Sequence, residues 1–477
     1  MCAIVGFFGK EDVVFDLLSG LLALQHRGQD AAGIVTFDKT FRMKKGLGLV
    51  NNVFEKKHLK RLKGPIGIGH TRYTTQGTND LSNAQPFTIN YPFGLSMVHN
   101  GNVVNFKELR NELYEERQIL LETSNDLELI LYTFATELAK NDLKNLQVKD
   151  IFDAVERLQL KVKGAYSTIT IIANRGLLAF TDAFGIRPVV MGKKETEEGT
   201  VYAFASESAC FDYLGYEMIG DLNAGEAVFI DMEGNVHRRN GQQQSEKFCI
   251  FEYIYFADES SVIQNRLVAS ERVRMGRMLG KKIKEAGLQP DIVIDVPSSG
   301  YFAASGLAEV LEVPYRRGFS KNSHIGRSFI SPSQKEREKM VKRKLNPIKQ
   351  VVEGKKVAVV DDSIVRGTTS KRIVQILREA GAKEVYFISA APPIKYPCIY
   401  GIDMAVSTDL IASKKTLQEI TEAIEADAVI YQSLEDLKSL YKDFNFCNAC
   451  FSGEYPVGGS KKYLKQIRKE REFSQVK

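Results

Sequence analysis

The stretch from Lys356 to Lys371 restricts the fold more than any other in this 477-residue chain. Lys356 to Val360 is a short apolar run, the pattern of a strand buried on both faces, and such strands belong to parallel sheets. Parallel neighbours cannot be joined by a hairpin; they need crossover segments, usually helices. Two carboxylates, Asp361 and Asp362, end the run. Arg366-Gly367-Thr368-Thr369-Ser370 then opens an amphipathic helix with Ile373, Ile376 and Leu377 on one face. A strand running through a Gly/Thr/Ser turn into a helix N-terminus is an anion cradle, because free backbone N–H groups and the helix dipole converge there. The turn lacks the Lys and the spacing of a nucleoside-triphosphate loop. A phosphate on the turn, with paired acids beside it, suits a phosphorylated sugar whose ring hydroxyls need acceptors. The plainer alternative is a strand end with two solvated acids.

The flanking pattern is that of βαβ units. Helix 270–286, strand 291–296, helix 301–310, strand 357–360, helix 370–380 and strand 384–388 alternate, which predicts a parallel sheet with helices on both faces. Ligands of such sheets sit beyond the strand C-terminal ends. Pro297-Ser298-Ser299-Gly300 lies at one such end and Asp361-Asp362 at another. A Ser hydroxyl and two carboxylates are hard oxygen ligands of the kind Mg²⁺ takes. The stretch from Val359 to Thr369 resembles the phosphoribosyl-pyrophosphate (PRPP) motif of type I phosphoribosyltransferases. That resemblance implies ribose hydroxyls on Asp361 and Asp362. It also implies a 5-phosphate held by Arg366, Gly367, Thr368 and Thr369, and Mg²⁺ placed by Ser299, Asp361 and Asp362. Departing pyrophosphate would leave positive charge on the ribose, which nearby carboxylates stabilise.

A chain this long exceeds one ordinary core, so two large domains are expected. Its 44% apolar and 26% charged residues are the make-up of a soluble globular protein. No run of about 18 apolar residues, the minimum for a span, is present, and no membrane partner is expected. The start carries no basic segment followed by an apolar one, so a cytoplasmic location is expected. The net charge of +6 is too small to imply nucleic acid.

At the other end, Cys2 precedes the apolar strand Ala3-Ile-Val-Gly-Phe-Phe8. The small residue at position 2 favours removal of Met1, which would place a thiol and a free α-amine on one residue. An α-amine with a pKa of about 7.7–8.0 can take the thiol proton near neutral pH. A small buried hydrophobe at a strand start is the competing reading. A helix from Asp12 to Leu24 leads to Gln25-His26-Arg27-Gly28-Gln29-Asp30-Ala31-Ala32-Gly33. Next, His70-Thr71-Arg72-Tyr73-Thr74-Thr75 ends a strand in an Arg that can grip a carboxylate through two parallel hydrogen bonds. Then His99-Asn100-Gly101 offers a side-chain amide and a backbone N–H that can meet one oxygen, as an oxyanion hole requires. Finally Ser124-Asn125-Asp126 can cap a helix.

Together these motifs, in this order, resemble the class II glutamine amidotransferases, over roughly residues 2–240. The resemblance implies a four-layer αββα sandwich, with Cys2 as nucleophile and Asn100 and Gly101 as the oxyanion hole. It implies Arg72, Asp126 and Arg27 as glutamine contacts. The stretches 182–188 and 205–208 also resemble that family, with no chemistry assigned to them.

Glu233 to Lys247, polar and rich in Gln and Arg, reads as a junction between domains. A phosphoribosyltransferase domain is expected over 250–440 and a tail over 441–477. Arg316 to Lys344 holds ten Lys/Arg against Glu336 and Glu338. A solvated face, a nucleic-acid patch and a mobile lid are all open readings, although its two aromatics, Phe319 and Phe329, are too few to interleave with the ten basic residues as stacking in single-strand binding needs. Resemblance to a flexible PRPP loop implies substrate contacts from Lys321, Arg327 and Lys344, and no nucleic acid.

Cys447-Asn-Ala-Cys450 is a soft-metal pair, and Cys249 and Cys398 complete a possible set of four. Four thiolates could hold Zn²⁺ or a 4Fe–4S cluster. Their contexts resemble the iron–sulfur-containing amidophosphoribosyltransferase family, which favours the cluster. That family resemblance spans both halves. It implies that ammonia from glutamine is transferred to PRPP through a closed apolar channel, giving phosphoribosylamine for purine synthesis. It further implies purine-nucleotide inhibitors and a homo-oligomer, a tetramer. Rival readings are another class II amidotransferase, a non-catalytic PRPP-sensing regulator, or a nucleic-acid binder.

Overall fold

The computed structural model describes residues 1–73, 80–242, 244–321, 345–402, 404, 409–458 and 461–465. Ala3–Phe8 is buried at every position, because both of its faces are covered. On either side it pairs antiparallel with Ile66–Arg72 and Gly199–Ala205. The described residues extend this sheet in the order Glu217–Asp221, Val190–Thr196, Gly199–Ala205, Ala3–Phe8, Ile66–Arg72, Ala31–Asp38, Thr40–Leu47. A second antiparallel sheet runs Val236–Asn240, Glu226–Asp231, Gly176–Thr181, Gly164–Ile172, Leu95–Val103, Phe87–Ile89. Ile4, Val35 and Ile68 of the first meet Val98, Ile169 and Val228 of the second in one core. Helix Val14–Ala23 covers the outer face of the first sheet through Leu17 and Leu21. Helices Asp126–Leu138 and Val148–Lys161 cover the second through residues such as Ile130, Phe134, Val155 and Leu158. The result is an αββα sandwich.

The polar segment 233–247 is not simply a junction. Val236–Asn240 is an edge strand, with Ala227 opposite Arg239. An edge strand hydrogen-bonds through its backbone and tolerates charged side chains. Here Arg239 reaches Asp153 and Glu156, and His237 reaches Asp231. Side-chain polarity alone therefore concealed the strand.

The C-terminal half contains the expected parallel sheet, in the order Ile292–Asp295, Lys356–Asp361, Glu384–Ser389, Ala428–Tyr431. Helices Val268–Glu285 and Tyr301–Leu311 cover one face through Leu279, Ile283 and Leu307. Helices Thr368–Glu379 and Leu417–Ile424 lie on the other. Near the chain end, Phe446–Cys447 pairs in parallel with Phe248–Cys249, tying the tail back to the entry into this half. A further apolar core joins the two halves: Met1, Val104, Ala165 and Ile186 pack with Phe248, Ile250, Ile399 and Tyr400. Among the described residues no helix is long and apolar enough to cross a membrane.

Candidate active site

In the N-terminal half the strand pairings gather the predicted residues at one end of the sandwich. Cys2 leads directly into Ala3, which lies opposite Thr71, next to Arg72. The Cys2 N–H donates to Asn100 Oδ1 at 3.3 Å, and Cys2 Sγ lies 3.8 Å from the Tyr73 carbonyl. Asn100 is buried, and its Nδ2 has no hydrogen-bond partner among the described residues. A buried donor left unpaired is costly in an ordinary core; beside a nucleophile it is available to a developing oxyanion. Gly101 has φ +147, and a Cβ there would come within 1.9 Å of the Ala165 carbonyl oxygen, so the position admits only glycine.

Arg72 is buried at its strand end, where its carbonyl accepts from Asp30 N–H at 2.9 Å. Asp126 opens helix Asp126–Leu138. Its Oδ2 takes the Val103 N–H at 3.0 Å and its Oδ1 lies 3.6 Å from His99 Nδ1. Burial pushes His99 below the usual imidazole range despite that carboxylate, so it is neutral near pH 7. The helix cap is Asn125, whose side chain accepts from Leu127 N–H at 3.0 Å.

Arg27, expected among the glutamine contacts, is placed otherwise. It is buried, and its nitrogens are engaged with protein atoms. Nε donates to the Cys2 carbonyl at 3.1 Å, Nη1 to Glu207 and to Glu252 at 2.9 Å, and Nη2 to Glu252 at 3.0 Å. Its geometry is that of a clamp on the backbone of the nucleophile. Glu207 and Glu252 lie in stretches to which the sequence assigned no chemistry, and nothing in it paired them with Arg27, from which they are 180 and 225 residues distant.

The C-terminal half brings its expected acids and hydroxyl together. Ser299 Oγ donates to Asp362 Oδ1 at 2.8 Å, and the Asp362 N–H donates to Asp361 Oδ1 at 2.9 Å. Burial and the neighbouring Asp362 charge push Asp361 well above the usual carboxylate range, and burial raises Asp362 as well. A third acid, Asp295, ends the adjacent strand; it is buried and accepts from Tyr315 Oη at 2.8 Å. The alternation pattern located that strand end but gave no reason to single out its last residue. Gly367, at φ +78, is the N-cap of helix Thr368–Glu379, and Thr368 and Thr369 are exposed at its start. Arg366 pairs with Asp409 at 3.3 Å. Lys321 Nζ donates to Ser298 Oγ at 2.9 Å, placing one expected lid residue on the Pro-Ser-Ser-Gly turn. Arg327, Lys344, Thr74 and Thr75 lie outside the described residues.

Cys249, Cys398, Cys447 and Cys450 are all buried and free of disulfides. Cys249 sits opposite Cys447 in the short parallel pairing, and Lys395 and Tyr396 donate to the Cys450 carbonyl, each at 3.0 Å. Burial pushes the Cys249 thiol up to about 11 and the Cys447 and Cys450 thiols above their ordinary range. Among the described residues no three His, Cys, Asp or Glu side chains are gathered as ligands of a single metal ion.

Two domain families match along the chain: the glutamine amidotransferase domain over residues 70–213 and the phosphoribosyl transferase domain over residues 270–396. The amidophosphoribosyltransferase of Haemophilus influenzae is 44% identical, the alignment covering 99% of this chain and 96% of that one. The amidophosphoribosyltransferase of Saccharomyces cerevisiae is 41% identical, with the same coverage of each chain. The chain belongs to the amidophosphoribosyltransferase family. Solved amidophosphoribosyltransferase folds agree. The glutamine PRPP amidotransferase of B. subtilis, complexed with ADP and GMP, superposes with a TM-score of 0.85 at 37% identity, covering 96% of this chain and 97% of that one. As an amidophosphoribosyltransferase, the chain is an enzyme that joins a glutaminase half to a pentosyltransferase half.

Proposed function

We propose that the chain hydrolyses glutamine at Cys2 and delivers the ammonia to C1 of PRPP, giving phosphoribosylamine, glutamate and pyrophosphate, the entry to purine synthesis. The observation that carries this reading is the Asn100 amide: one end holds the backbone of Cys2 and the other keeps a buried donor unspent. With Met1 removed, the Cys2 α-amine takes the thiol proton and Sγ attacks the glutamine amide carbon. Asn100 Nδ2 and the Gly101 N–H then meet the oxyanion. Arg72 holds the glutamine α-carboxylate and Asp126 its α-amine. Protonated nitrogen leaves as ammonia, and water releases glutamate from the thioester.

In the second half, Thr368, Thr369 and the free N–H groups of the helix start hold the 5-phosphate, with Arg366 beside them. Asp361 and Asp362 receive the ribose hydroxyls and, with Ser299, form a hard oxygen set that fits Mg²⁺. Mg²⁺, when bound, neutralises the pyrophosphate. Lys321, with Arg327 and Lys344, closes over the phosphates and excludes water, which competes with ammonia for C1.

The four cysteines fit an inorganic group. Buried thiols give up their protons only to a compensating positive charge. Between zinc and a 4Fe–4S cluster, the resemblance of the cysteine contexts to the iron–sulfur-containing family favours the cluster. Inhibition by purine nucleotides is supported by the nucleotides in the B. subtilis complex. A homotetramer rests on family resemblance, and its mass in solution would decide it.

The test is a paired assay on wild type and Cys2→Ala. The variant should lose product from glutamine plus PRPP and keep it from ammonia plus PRPP. Equal loss of both would overturn the division of labour. An anaerobic absorbance spectrum decides the metal: a broad visible band for iron–sulfur, none for zinc.

A further inference from the structure

Arg187 belongs to a motif to which the proposed chemistry gives no role, yet it is among the largest fully buried side chains of the protein. Its Nε donates to the Tyr400 carbonyl at 2.9 Å, and Nη1 donates to Met1 Sδ at 2.7 Å and lies 3.4 Å from Glu252 Oε1, the partner that stays when Met1 is removed. Glu252, itself 0% exposed, holds Arg27 with both oxygens, and Arg27 holds the Cys2 carbonyl. A continuous chain of charge-assisted bonds therefore runs from the nucleophilic residue through Arg27 and Glu252 to Arg187.

The far end of that chain abuts the cysteine group on two sides. The Cys249 N–H donates to the carbonyl of Ile186, the residue before Arg187, at 3.2 Å. The N–H of Tyr400, whose carbonyl receives Arg187, lies 3.3 Å from Cys398 Sγ. Arg187 Nη2 is buried with no partner among the described residues. The surrounding charges corroborate the placement: burial would lower the Arg187 pKa, but Cys249, Cys398, Glu252 and Cys447 together raise it. Three buried charges in a row would be expensive unless each were paired, and the last keeps a buried donor without a partner among the described residues.

We propose that Arg187 and Glu252 are positioning residues of the glutaminase half, through which the four-cysteine group holds Cys2 in register with Asn100. When the group is present, its negative sulfurs anchor Arg187; Arg187 then fixes Glu252, Glu252 fixes Arg27, and Arg27 fixes the Cys2 carbonyl. Loss of the group frees Arg187 and relaxes the series. This rests on the iron–sulfur reading, and the experiment separates the two.

The experiment labels Cys2 in the full-length protein, prepared anaerobically, and reads its modification by peptide mass. Two reagents are used: a diazoketone analogue of glutamine, which reacts only with a correctly placed thiol, and iodoacetamide, which needs no placement. Iron is measured on the same samples before and after chelation. Chelation of the wild type should slow diazoketone labelling about tenfold, the scale of one charged hydrogen bond, and leave iodoacetamide labelling unchanged. Arg187→Met should be slow with iron present and should not slow further when it is removed, and Arg187→Lys should recover part of the rate. Should Arg187→Met fail to fold, Glu252→Gln, of the same shape, interrupts the series at its centre and should give the same slow labelling. The proposal is overturned if chelation leaves wild-type labelling unchanged, or if the folded variants label at the wild-type rate. A preparation with no iron overturns the iron–sulfur reading and this proposal together; iron present with Cys2 indifferent to its loss overturns the coupling alone.

Discussion

Asn102 Nδ2 donates to the carbonyl of Ile399 at 2.9 Å, a buried bond between residues 297 apart in the chain. It joins strand Leu95–Val103, which carries the proposed oxyanion donors Asn100 and Gly101, to the C-terminal half. Close beside it, a Cβ on Gly401 would come within 2.7 Å of the Gly101 carbonyl oxygen. The two halves therefore meet at Gly101 and Asn102, on the strand that also carries Asn100. Asn102→Ala leaves the Ile399 carbonyl buried and unpaired, at a cost of about 1–3 kcal/mol. Glutamine hydrolysis should continue while transfer fails more often. The measurement is glutamate formed per pyrophosphate released, which should rise above parity; a ratio unchanged from wild type would show that this contact does not guide the nitrogen.

The Asn100 amide makes a sharper prediction. Asn100→Ala removes the unspent donor and the acceptor for Cys2 N–H together. Loss of one oxyanion donor costs roughly 10²–10³ in kcat, so glutaminase turnover should fall by that factor with KM for glutamine little changed. Transfer from added ammonia should persist. A fall in both activities would mean that the substitution had disturbed the fold.

Legibility in the sequence followed the range of the interactions. Strand Lys356–Asp361 and its acids were visible because burial on both faces writes an unbroken apolar run. Cys2 and Ser299 were visible because each lies just outside a strand; Asn100 and Gly101 were read as a turn at a strand end, whereas strand Leu95–Val103 runs on through them. Strand Ala428–Tyr431 and helix Leu417–Ile424 were not recognised; the strand is short and half-buried, and a sheet edge needs less apolar sequence. The Arg27–Glu252–Arg187 series was invisible, since its partners are 225 and 65 residues apart and ion pairs impose no periodicity. Arg27 was read from its motif as a substrate contact because a motif records position and not direction.

The Glu207 pair sets an acid limit on stability. Burial alone would raise the Glu207 carboxyl, but Arg27 and His26 outweigh it and hold the group far below its ordinary 4.5. A depressed acid contributes stability that is complete above its unfolded pKa and is lost as pH falls through the folded value. Tm should therefore decline as pH drops below about 4.5. His26 has the opposite sign: burial lowers it, Glu207 raises it further, and its contribution is lost as pH rises above 6.5 toward the folded value. Glu207→Gln should flatten the acid decline and lower stability at neutral pH by about 3–5 kcal/mol, the scale for breaking a buried pair. Calorimetry across pH checks both; a variant with the wild-type acid slope would reassign the acid limit to other carboxylates.

On the proposed reading, Asp361 and Asp362 would link proton, cation and substrate. Burial first, then the like charge of Asp362, raises Asp361. A raised acid stabilises the folded state below its unfolded pKa of 3.8 and loses that contribution as pH rises through the folded value. In the ligand-free protein, ionising the pair as pH rises therefore costs stability, and a divalent cation with ribose hydroxyls would offset that cost. Magnesium with PRPP should then raise Tm more at about pH 8 than at about pH 6, where the pair keeps more of its protons. Asp361→Asn keeps the oxygen that accepts the Asp362 N–H but removes one charge. It should be more stable than wild type without ligand at about pH 8, nearly insensitive to magnesium, and deficient in pyrophosphate release by several orders of magnitude while still hydrolysing glutamine. A variant no more stable than wild type there would mean that the two carboxyls share a proton under working conditions. In that case cation binding must expel the proton, and buffers of different ionisation enthalpy would detect its release by calorimetry.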